Sequence, residues 1–160
     1  MNAEVTLATE AFDPAELLRA FTDQIDGQGA VVSFTGHARG KSRDGSSLDA
    51  LVLESYRGVT LASMEDIVAD AMARFDVART LVVHRAGRIA PGEAIVFVAA
   101  ASRHRRAAFE AADYLMDNLK TKAVFWKREE GAFGNRWIEP TQTDHDDAVR
   151  WSDELQLEEE

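Results

Sequence analysis

The chain of 160 residues contains no cysteine. This absence excludes disulfide bonds, zinc–thiolate sites and a cysteine nucleophile, and the chain cannot carry sulfur as a persulfide of its own. No apolar run approaches the roughly 18 residues that a membrane span requires. The first residues, MNAEVTLATEAF, lack the basic and apolar regions of a signal peptide. A cytoplasmic protein without a membrane partner is therefore expected.

Basic residues are also scarce, with 18 Lys+Arg against 28 Asp+Glu and a formal net charge of −10. An acidic chain is a poor general binder of nucleic acid, because phosphate neutralisation drives such binding. The hydrophobic fraction of 46% and the charged fraction of 29% are ordinary for a globular protein. We expect a single catalytic domain over residues 1–150, followed by a flexible acidic tail over residues 151–160.

The apolar periodicity changes between strand and helix patterns without a regular βαβ order. It predicts an α+β fold with three main helices and a mixed or largely antiparallel sheet. The helices are expected from Pro14 towards Gly27, from Thr60 or Ser63 to Phe75, and from an N-cap at Ser102 to Leu119, with a further short helix at 144–151. The strands are expected at 3–8, 29–39, 48–56, 77–89, 94–101, 123–129 and 136–139.

Cations gather around one predicted helix despite the acidic composition. Its cap and first turn read Ser-Arg-His-Arg-Arg over residues 102–106, where the helix dipole favours acids. Free backbone N–H groups at the same place favour an anion. The pattern predicts a phosphate or carboxylate site that includes His104 and Arg105; the alternative is a solvated basic turn that pairs with the surplus acids.

Two lysines follow this turn. Lys120 near the helix C-terminus suits the dipole and needs no function to explain it. Lys127 follows Phe125 and Trp126 in an apolar strand, where a partly buried lysine can act as an acid, a base or a nucleophile. The alternative for Lys127 is an edge-strand lysine that discourages aggregation, and the residues alone favour neither interpretation.

Gly36 interrupts the strand that carries Phe34 and Arg39, which indicates a bulge or the close approach of another backbone. Arg39 could add an anion ligand and Phe34 could stack on a planar ring, although a core position for Phe34 is the simpler interpretation. The histidines show no metal-ligand spacing, so no metal site is expected. His84, on an apolar strand, is interpreted as a core histidine.

Four segments resemble the catalytic large subunits of molybdopterin synthase, the MoaE family. They are GAVVSFTGHARG, LESYRG, the long run from VVHRAGRIAPGE to FWKRE, and RWIE. The likeness covers roughly Ala30 to Glu139. It implies an α/β hammerhead fold and an enzyme of molybdenum cofactor biosynthesis that needs no cofactor of its own.

The resemblance also implies partners and a reaction. A homodimer of large subunits binds a small ubiquitin-like sulfur carrier at each end, forming a heterotetramer. The carrier's C-terminal glycine bears a thiocarboxylate, and two sulfurs pass to cyclic pyranopterin monophosphate to make the dithiolene of molybdopterin.

The family's functional positions fall on Lys120 and Lys127 as catalytic residues, and on the substrate-binding residues Phe34, Arg39, His104, Arg105 and Met116. Arg39, His104 and Arg105 are expected to hold the substrate phosphate. Lys120 is expected to orient the thiocarboxylate or stabilise an oxyanion, and Lys127 to transfer protons. One departure is Pro140-Thr141, where family members often carry a further arginine, so no contribution of the neighbouring subunit to the anion pocket is expected at that point.

Two other functions fit the same residues. A lysine-dependent lyase would form a Schiff base with a carbonyl substrate through Lys120 or Lys127. A non-catalytic module would dock a carrier protein or an anion through the same pocket.

Overall fold

The computed structural model describes residues 2–157 of the chain. The elements in chain order are β1 (Ala3–Ala8), α1 (Pro14–Asp23), β2 (Ala30–His37), β3 (Leu48–Ser55), α2 (Val59–Arg74), β4 (Arg79–Arg85), β5 (Gly87–Ile89), β6 (Ala94–Ser102), α3 (Arg105–Thr121), β7 (Phe125–Gly131), β8 (Gly134–Ile138) and α4 (Gln142–Leu157). Over residues 2–157, no helix is long and apolar enough to cross a bilayer.

The strands form two four-stranded sheets, ordered β1-β4-β6-β2 and β5-β3-β7-β8. The first sheet is mixed, because β1 runs parallel to β4 while the other pairs are antiparallel. The second sheet is wholly antiparallel. The predicted α+β class is confirmed, and residues 2–157 contain four helices, of which the last is longer than expected.

The mixed sheet carries a core on each face. Leu115 and Leu119 of α3 pack with Val82, Val96 and residues of α2 on one face. On the other face, α1 covers a second cluster, which is formed by Phe21, Leu81, Val83, Phe97, Ala99 and Ala101. The central strands β4 and β6 are therefore almost entirely buried, as continuous apolar runs predict.

The expected single strand over 77–89 is wrong, because the structure divides it. β4 ends at Arg85 in the mixed sheet, and β5 begins at Gly87 in the antiparallel sheet. Gly87 has a φ of 94°, a left-handed conformation that glycine adopts without a steric cost. The chain therefore changes sheets at Ala86, which places the end of β4 beside the second sheet.

The start of α3 also differs from the expectation. Its N-cap is His104, without a side-chain cap bond, and the Ser102 hydroxyl donates instead to the carbonyl of His104. Phe109, an apolar residue on this helix, is 59% exposed. Ala108 and Ala111 are fully buried instead, and Ala111 clusters with Ala100 of β6, so the helix can approach β6 closely.

The predicted boundary at residue 150 divides a continuous helix. α4 runs from Gln142 to Leu157, and Trp151 is only 6% exposed within the main core. Its ring meets Phe75 and Tyr114 edge-on, and Arg74 lies over it. The first part of the expected tail therefore belongs to the folded domain, and the flexibility of the tail stays a prediction. Residues 158–160 lie outside the described residues.

Replacing Trp151 by phenylalanine is expected to lower the free energy of unfolding by about 1–2 kcal/mol. The reason is that the indole Nε1 donates to Asp117 at 2.7 Å, and phenylalanine keeps one aromatic ring but loses this donor and the five-membered ring that carries it. Urea denaturation measures the change. Val149→Ala on the same helix is the control, because Val149 is 55% exposed and its truncation is expected to cost under about 0.5 kcal/mol. Equal losses in the two variants would contradict a packed role for Trp151.

Candidate functional site

Lys120 and Lys127 come together at one end of α3. The helix returns along the mixed sheet after β6 and packs on β6 and β2, so its last turn lies near the start of β6. His84 pairs with Val96 at that same end, and the charges of both lysines act on His84. Asp144 in the first turn of α4 also interacts with both lysines. We call these four side chains, Lys120, Lys127, His84 and Asp144, the lysine cluster.

Lys127 lies on the inner face of the antiparallel sheet. Its register partners are Leu53 of β3 and Ile138 of β8, and Leu53 is fully buried. Burial, followed by the charge of Lys120, lowers the pKa of Lys127 from 10.5 to about 8, while Asp144 acts in the opposite direction. An amine with this pKa can give and take a proton near neutral pH.

His84 is buried beside these lysines, at 5% exposure. Its ring stacks on Phe125 with centroids 4.4 Å apart and an interplanar angle of 26°. Burial, opposed by the hydrogen bond to the Arg85 carbonyl and helped by Lys127 and Lys120, lowers the pKa of His84 to about 4. The interpretation of His84 as a core histidine is confirmed, and at neutral pH its ring adds no third positive charge.

Asp144 is fixed by a reciprocal cap at the start of α4. The Thr141 N–H donates to Oδ2 of Asp144 at 2.9 Å, and the Asp144 N–H donates to the Thr141 hydroxyl at 3.1 Å. Burial opposes ionisation, but these bonds to Thr141 and the charges of Lys120 and Lys127 outweigh it and lower the pKa of Asp144. The cluster therefore contains one carboxylate against two lysines.

Arg39 lies at the same end of the fold. The preceding residue, Ala38, exchanges backbone hydrogen bonds of 2.9 and 2.8 Å with Glu93 and Gly92 in the turn before β6. Ala38 also packs with Leu53, the register partner of Lys127. The Arg39 side chain is exposed, so its guanidinium can meet an anion that approaches from solvent.

Phe34 and Met116 lie along the face shared by β2 and α3. The register of β2 with β6 shifts between Gly36 and His37, so the bulge, one of the two predictions for this glycine, is confirmed. A Cβ placed on Gly36 would lie 3.0 Å from the Val96 side chain and 3.5 Å from the Phe34 ring. Phe34 is 45% exposed and is not the fully buried core residue that the simpler interpretation predicted. Met116 is partly buried against the main core.

His104 and Arg105 lie at the opposite end of α3 from Lys120. The 15 helical steps from Arg105 to Lys120 correspond to about 22 Å at about 1.5 Å per residue. The basic turn is exposed, and its surface groove is lined by Arg105, Arg106, Phe109, Glu110 and Asp113. Arg39, His104 and Arg105 were predicted to hold one phosphate. Within one chain, however, Arg39 lies at the Lys120 end of α3, whereas His104 and Arg105 lie at the opposite end.

Replacing Lys127 by methionine is expected to stabilise the fold by about 2 kcal/mol near pH 7, because folding there keeps an ammonium in a poorly solvated place. The pKa of Lys127 is about 8 when folded and 10.5 in its ordinary state. Between these values the unfolded chain binds more protons, so wild-type stability rises with pH in that window. Urea denaturation at about pH 7 and about pH 10 tests this, and a stability difference that stays constant would contradict it.

Sequence reasoning missed Asp144 and the proximity of His84 to the lysines. Asp144 had a local signal, since Thr-x-x-Asp over 141–144 resembles a capping box. No local pattern indicated that His84 lies near the lysines, because His84 is on β4 and Lys127 is on β7, and these strands belong to different sheets. In the part of the chain that the structure describes, no group of three or more His, Asp or Glu side chains could hold a metal ion.

A second surface was also missed, on the outer face of the antiparallel sheet. Tyr56, Trp126 and Trp137 are exposed there and line a shallow groove with Glu54 and Ser55. Trp126 is on the opposite face of β7 from Lys127, because successive strand residues alternate. This aromatic surface therefore does not line the lysine cluster.

The sequence matches the family model described as MoaE protein over residues 7–122. It is 51% identical over 150 residues to the molybdopterin synthase catalytic subunit of Caulobacter vibrioides, covering 94% of this chain and 98% of the relative. The protein of the same name from Yersinia pestis is 45% identical over 150 residues, with the same two coverages of 94% and 98%.

Solved structures agree with the sequence comparison. The molybdopterin cofactor biosynthesis protein E of Burkholderia multivorans superimposes with a TM-score of 0.78 at 35% identity, covering 95% of this chain and 98% of that one. The correspondence extends over both sheets, since it leaves so little of either chain unmatched.

Proposed function

The chain belongs to the MoaE family, and on that premise we propose that it is the catalytic subunit of a cytoplasmic molybdopterin synthase. In this proposal it transfers sulfur from the thiocarboxylate of a small ubiquitin-like carrier to cyclic pyranopterin monophosphate. The observation that carries the proposal is the lysine cluster, in which Lys127 has a pKa of about 8. A reaction that moves both sulfur and protons needs such a group near neutral pH.

The cluster suggests different roles for the two lysines. Lys120 is exposed at the end of α3, so its ammonium can meet the anionic thiocarboxylate of an incoming tail and stabilise the oxyanion that forms at the acyl carbon. Lys127 is held on the inner sheet face and exchanges protons with the pterin carbons as sulfur bonds to them. Arg39, at the same end, binds the phosphate.

His104 and Arg105 reach the same substrate only if a second copy of the chain supplies them. Two α3 helices packed antiparallel about a twofold axis would place the basic turn of one copy beside Lys120 of the other. The edge position of β2 in the mixed sheet and the exposure of Phe34 and Phe109 on this side support such a contact. We therefore propose a homodimer whose sites each take residues from both copies, within a heterotetramer that includes two carriers.

One observation favours a second candidate. A lysine with a pKa of about 8 has a substantial neutral fraction near pH 7 and could form a Schiff base with a carbonyl substrate. Borohydride added during turnover would then trap the substrate on Lys127. The proposed sulfur transfer predicts no such adduct.

Reconstitution with purified components tests the proposal. The chain is mixed with thiocarboxylated carrier and cyclic pyranopterin monophosphate, and dithiolene formation is followed. Carrier with an ordinary C-terminal carboxylate is the matched control, because it keeps the docking surface but has no sulfur to transfer. Product with the first carrier alone supports the enzyme; binding of the carrier without product would support a non-catalytic docking module instead.

A further inference from the structure

Arg85, the last residue of β4, is a buried cation to which the proposed reaction assigns no role. It is only 4% exposed, and a guanidinium keeps its charge at any ordinary pH. Burying that charge costs free energy unless neighbouring groups compensate. A buried ion pair adds little net stability, but it can select one arrangement of the segments that it joins. The contacts of Arg85 therefore indicate what it arranges.

These contacts lie on both sides of the segment that crosses to the antiparallel sheet. Nη2 of Arg85 donates to the carbonyl of Arg88 on β5 at 3.0 Å. Nη1 lies 3.7 Å from Oε2 of Glu93, which follows β5. Since Nε and Nη1 make no hydrogen bond within residues 2–157, the Arg88 carbonyl and the Glu93 charge are the contacts that orient the guanidinium.

Glu93 also closes the turn between β5 and β6, residues 90–93, which we call the 90–93 turn. Its Oε1 accepts a hydrogen bond from the Ala90 N–H at 2.7 Å. Its own N–H donates to the Ala90 carbonyl at 3.1 Å. One carboxylate therefore connects the shape of the turn with the position of the Arg85 guanidinium.

The 90–93 turn holds the chain immediately before Arg39. The Ala38 N–H donates to the Glu93 carbonyl at 2.9 Å, and the Gly92 N–H donates to the Ala38 carbonyl at 2.8 Å. Both backbone groups of Ala38 are thus fixed by the turn. The direction in which the next residue, Arg39, leaves the sheet depends on this attachment.

We propose that Arg85 is a positioning residue for Arg39. Through the Arg88 carbonyl and the Glu93 carboxylate, its guanidinium fixes the 90–93 turn, and the turn fixes the backbone that presents the phosphate ligand. Arg85 is too deeply buried to touch the substrate, so its loss should weaken phosphate binding and spare the chemical step. The inference rests on the proposed function only in taking Arg39 as the phosphate ligand.

Amide hydrogen exchange of the whole chain, followed residue by residue by NMR, tests this link without turnover. Arg85→Met keeps the aliphatic stem and removes both contacts. We expect the Ala38 and Gly92 amides to exchange about tenfold faster in this variant, the effect of losing a hydrogen bond from a charged group. The Val98 amide in the middle of β6 reports global stability, and the expected increase is the one beyond any change at Val98.

Arg88→Met is the matched control, because it removes a guanidinium from the same segment. The Arg88 side chain is 61% exposed and pairs with Glu130 at 3.1 Å, and the variant keeps the backbone carbonyl to which Arg85 donates. Exchange of the same two amides should stay within about twofold of wild type. Equal increases in the two variants, or no increase beyond the global change in Arg85→Met, would overturn the proposal.

Glu93→Gln decides the question if Arg85→Met fails to fold. Glutamine keeps an acceptor for the Ala90 N–H but removes the charge that faces Arg85. The same two amides should then exchange about threefold faster, the effect of losing a partly exposed ion pair. Unchanged exchange in this variant would count against the proposal just as decisively.

Reconstitution separates positioning from general support of the fold. Where the wild type forms dithiolene, Arg85→Met should raise KM for cyclic pyranopterin monophosphate about tenfold and change kcat by less than about threefold. Arg39→Ala should raise KM at least as much. The double variant should lose no more than Arg39→Ala alone, because Arg85 acts through Arg39, and additive losses would overturn the proposal.

The two proposals fail in different experiments. An absence of dithiolene in the wild-type reconstitution would reject the proposed function. The link between Arg85 and the backbone before Arg39 would then still be decided by the amide exchange of Arg85→Met against Arg88→Met.

Discussion

Lys127→Ala is expected to reduce sulfur transfer by at least about 100-fold, the usual range for removal of a group that exchanges protons in the transition state. Lys120→Ala should cause a loss of similar size, because the oxyanion then lacks its charged partner. Neither change should weaken the fold, since Lys120 is exposed and loss of the Lys127 ammonium relieves a buried charge.

The measurement is single-turnover formation of dithiolene with thiocarboxylated carrier in excess, together with circular dichroism of each variant. Lys122→Ala is the matched control. Lys122 is an exposed lysine at the C-cap of the same helix. It is not among the charges that shift the pKa of His84, Lys127 or Asp144, so its loss should change the rate by less than about twofold. Full activity in both Lys120→Ala and Lys127→Ala would remove the lysine cluster from the mechanism.

Mixing two inactive variants is expected to restore activity if each site takes residues from both copies. Arg105→Ala should lose about 10- to 100-fold on its own, the effect of removing a charged hydrogen bond to the substrate phosphate. In a dimer of one Arg105→Ala chain and one Lys120→Ala chain, one site carries both defects and the other carries neither. Random mixing should therefore restore about a quarter of the wild-type rate.

Sites built within single chains give the opposite result, because every site in the mixture then keeps one defect. The variants must be mixed under conditions that exchange subunits, which mass spectrometry of the intact dimers can verify. The control is the double variant Arg105→Ala with Lys120→Ala mixed with wild type, in which mixed dimers contain no intact site under the shared arrangement. Activity above that expected from the remaining wild-type dimers would exclude sharing of these residues.

The fold was largely predictable because the main signals are local. The start of α1 at Pro14 is present as predicted, and the Asp13 carboxylate before it accepts a hydrogen bond from the Ala15 N–H at 2.9 Å. The division of 77–89 was not predictable, since β4 and β5 read as one apolar run and only the competition between two sheets separates them. The extent of α4 was missed because an acidic sequence gives little sign that Trp151 finds an aromatic environment.

The candidate site was predictable in its residue types and less so in its geometry. The apolar neighbours of Lys127 allowed either a partly buried lysine or an edge-strand lysine, and the structure places β7 between β3 and β8, where burial lowers the pKa of Lys127. The separation of Arg105 from Lys120 follows from helix length alone, but it conflicts with a single pocket unless another chain is considered. The contact between His84 and Phe125 joins two sheets, and no pattern along one chain segment encodes such a contact.

The register of β7 with β3 and β8 decides which of its side chains lie on the inner face of the sheet. Because strand residues alternate between faces, a slip of one position would exchange Lys127 with Trp126. The amine would then face water and return to ordinary proton affinity, without any change of sequence. Gly131 favours the observed register. A Cβ there would lie 2.7 Å from the carbonyl of Ser47 and would force β7 and β3 apart where the β7–β8 hairpin begins. A substitution of Gly131 could therefore abolish activity although every side chain of the lysine cluster is still present.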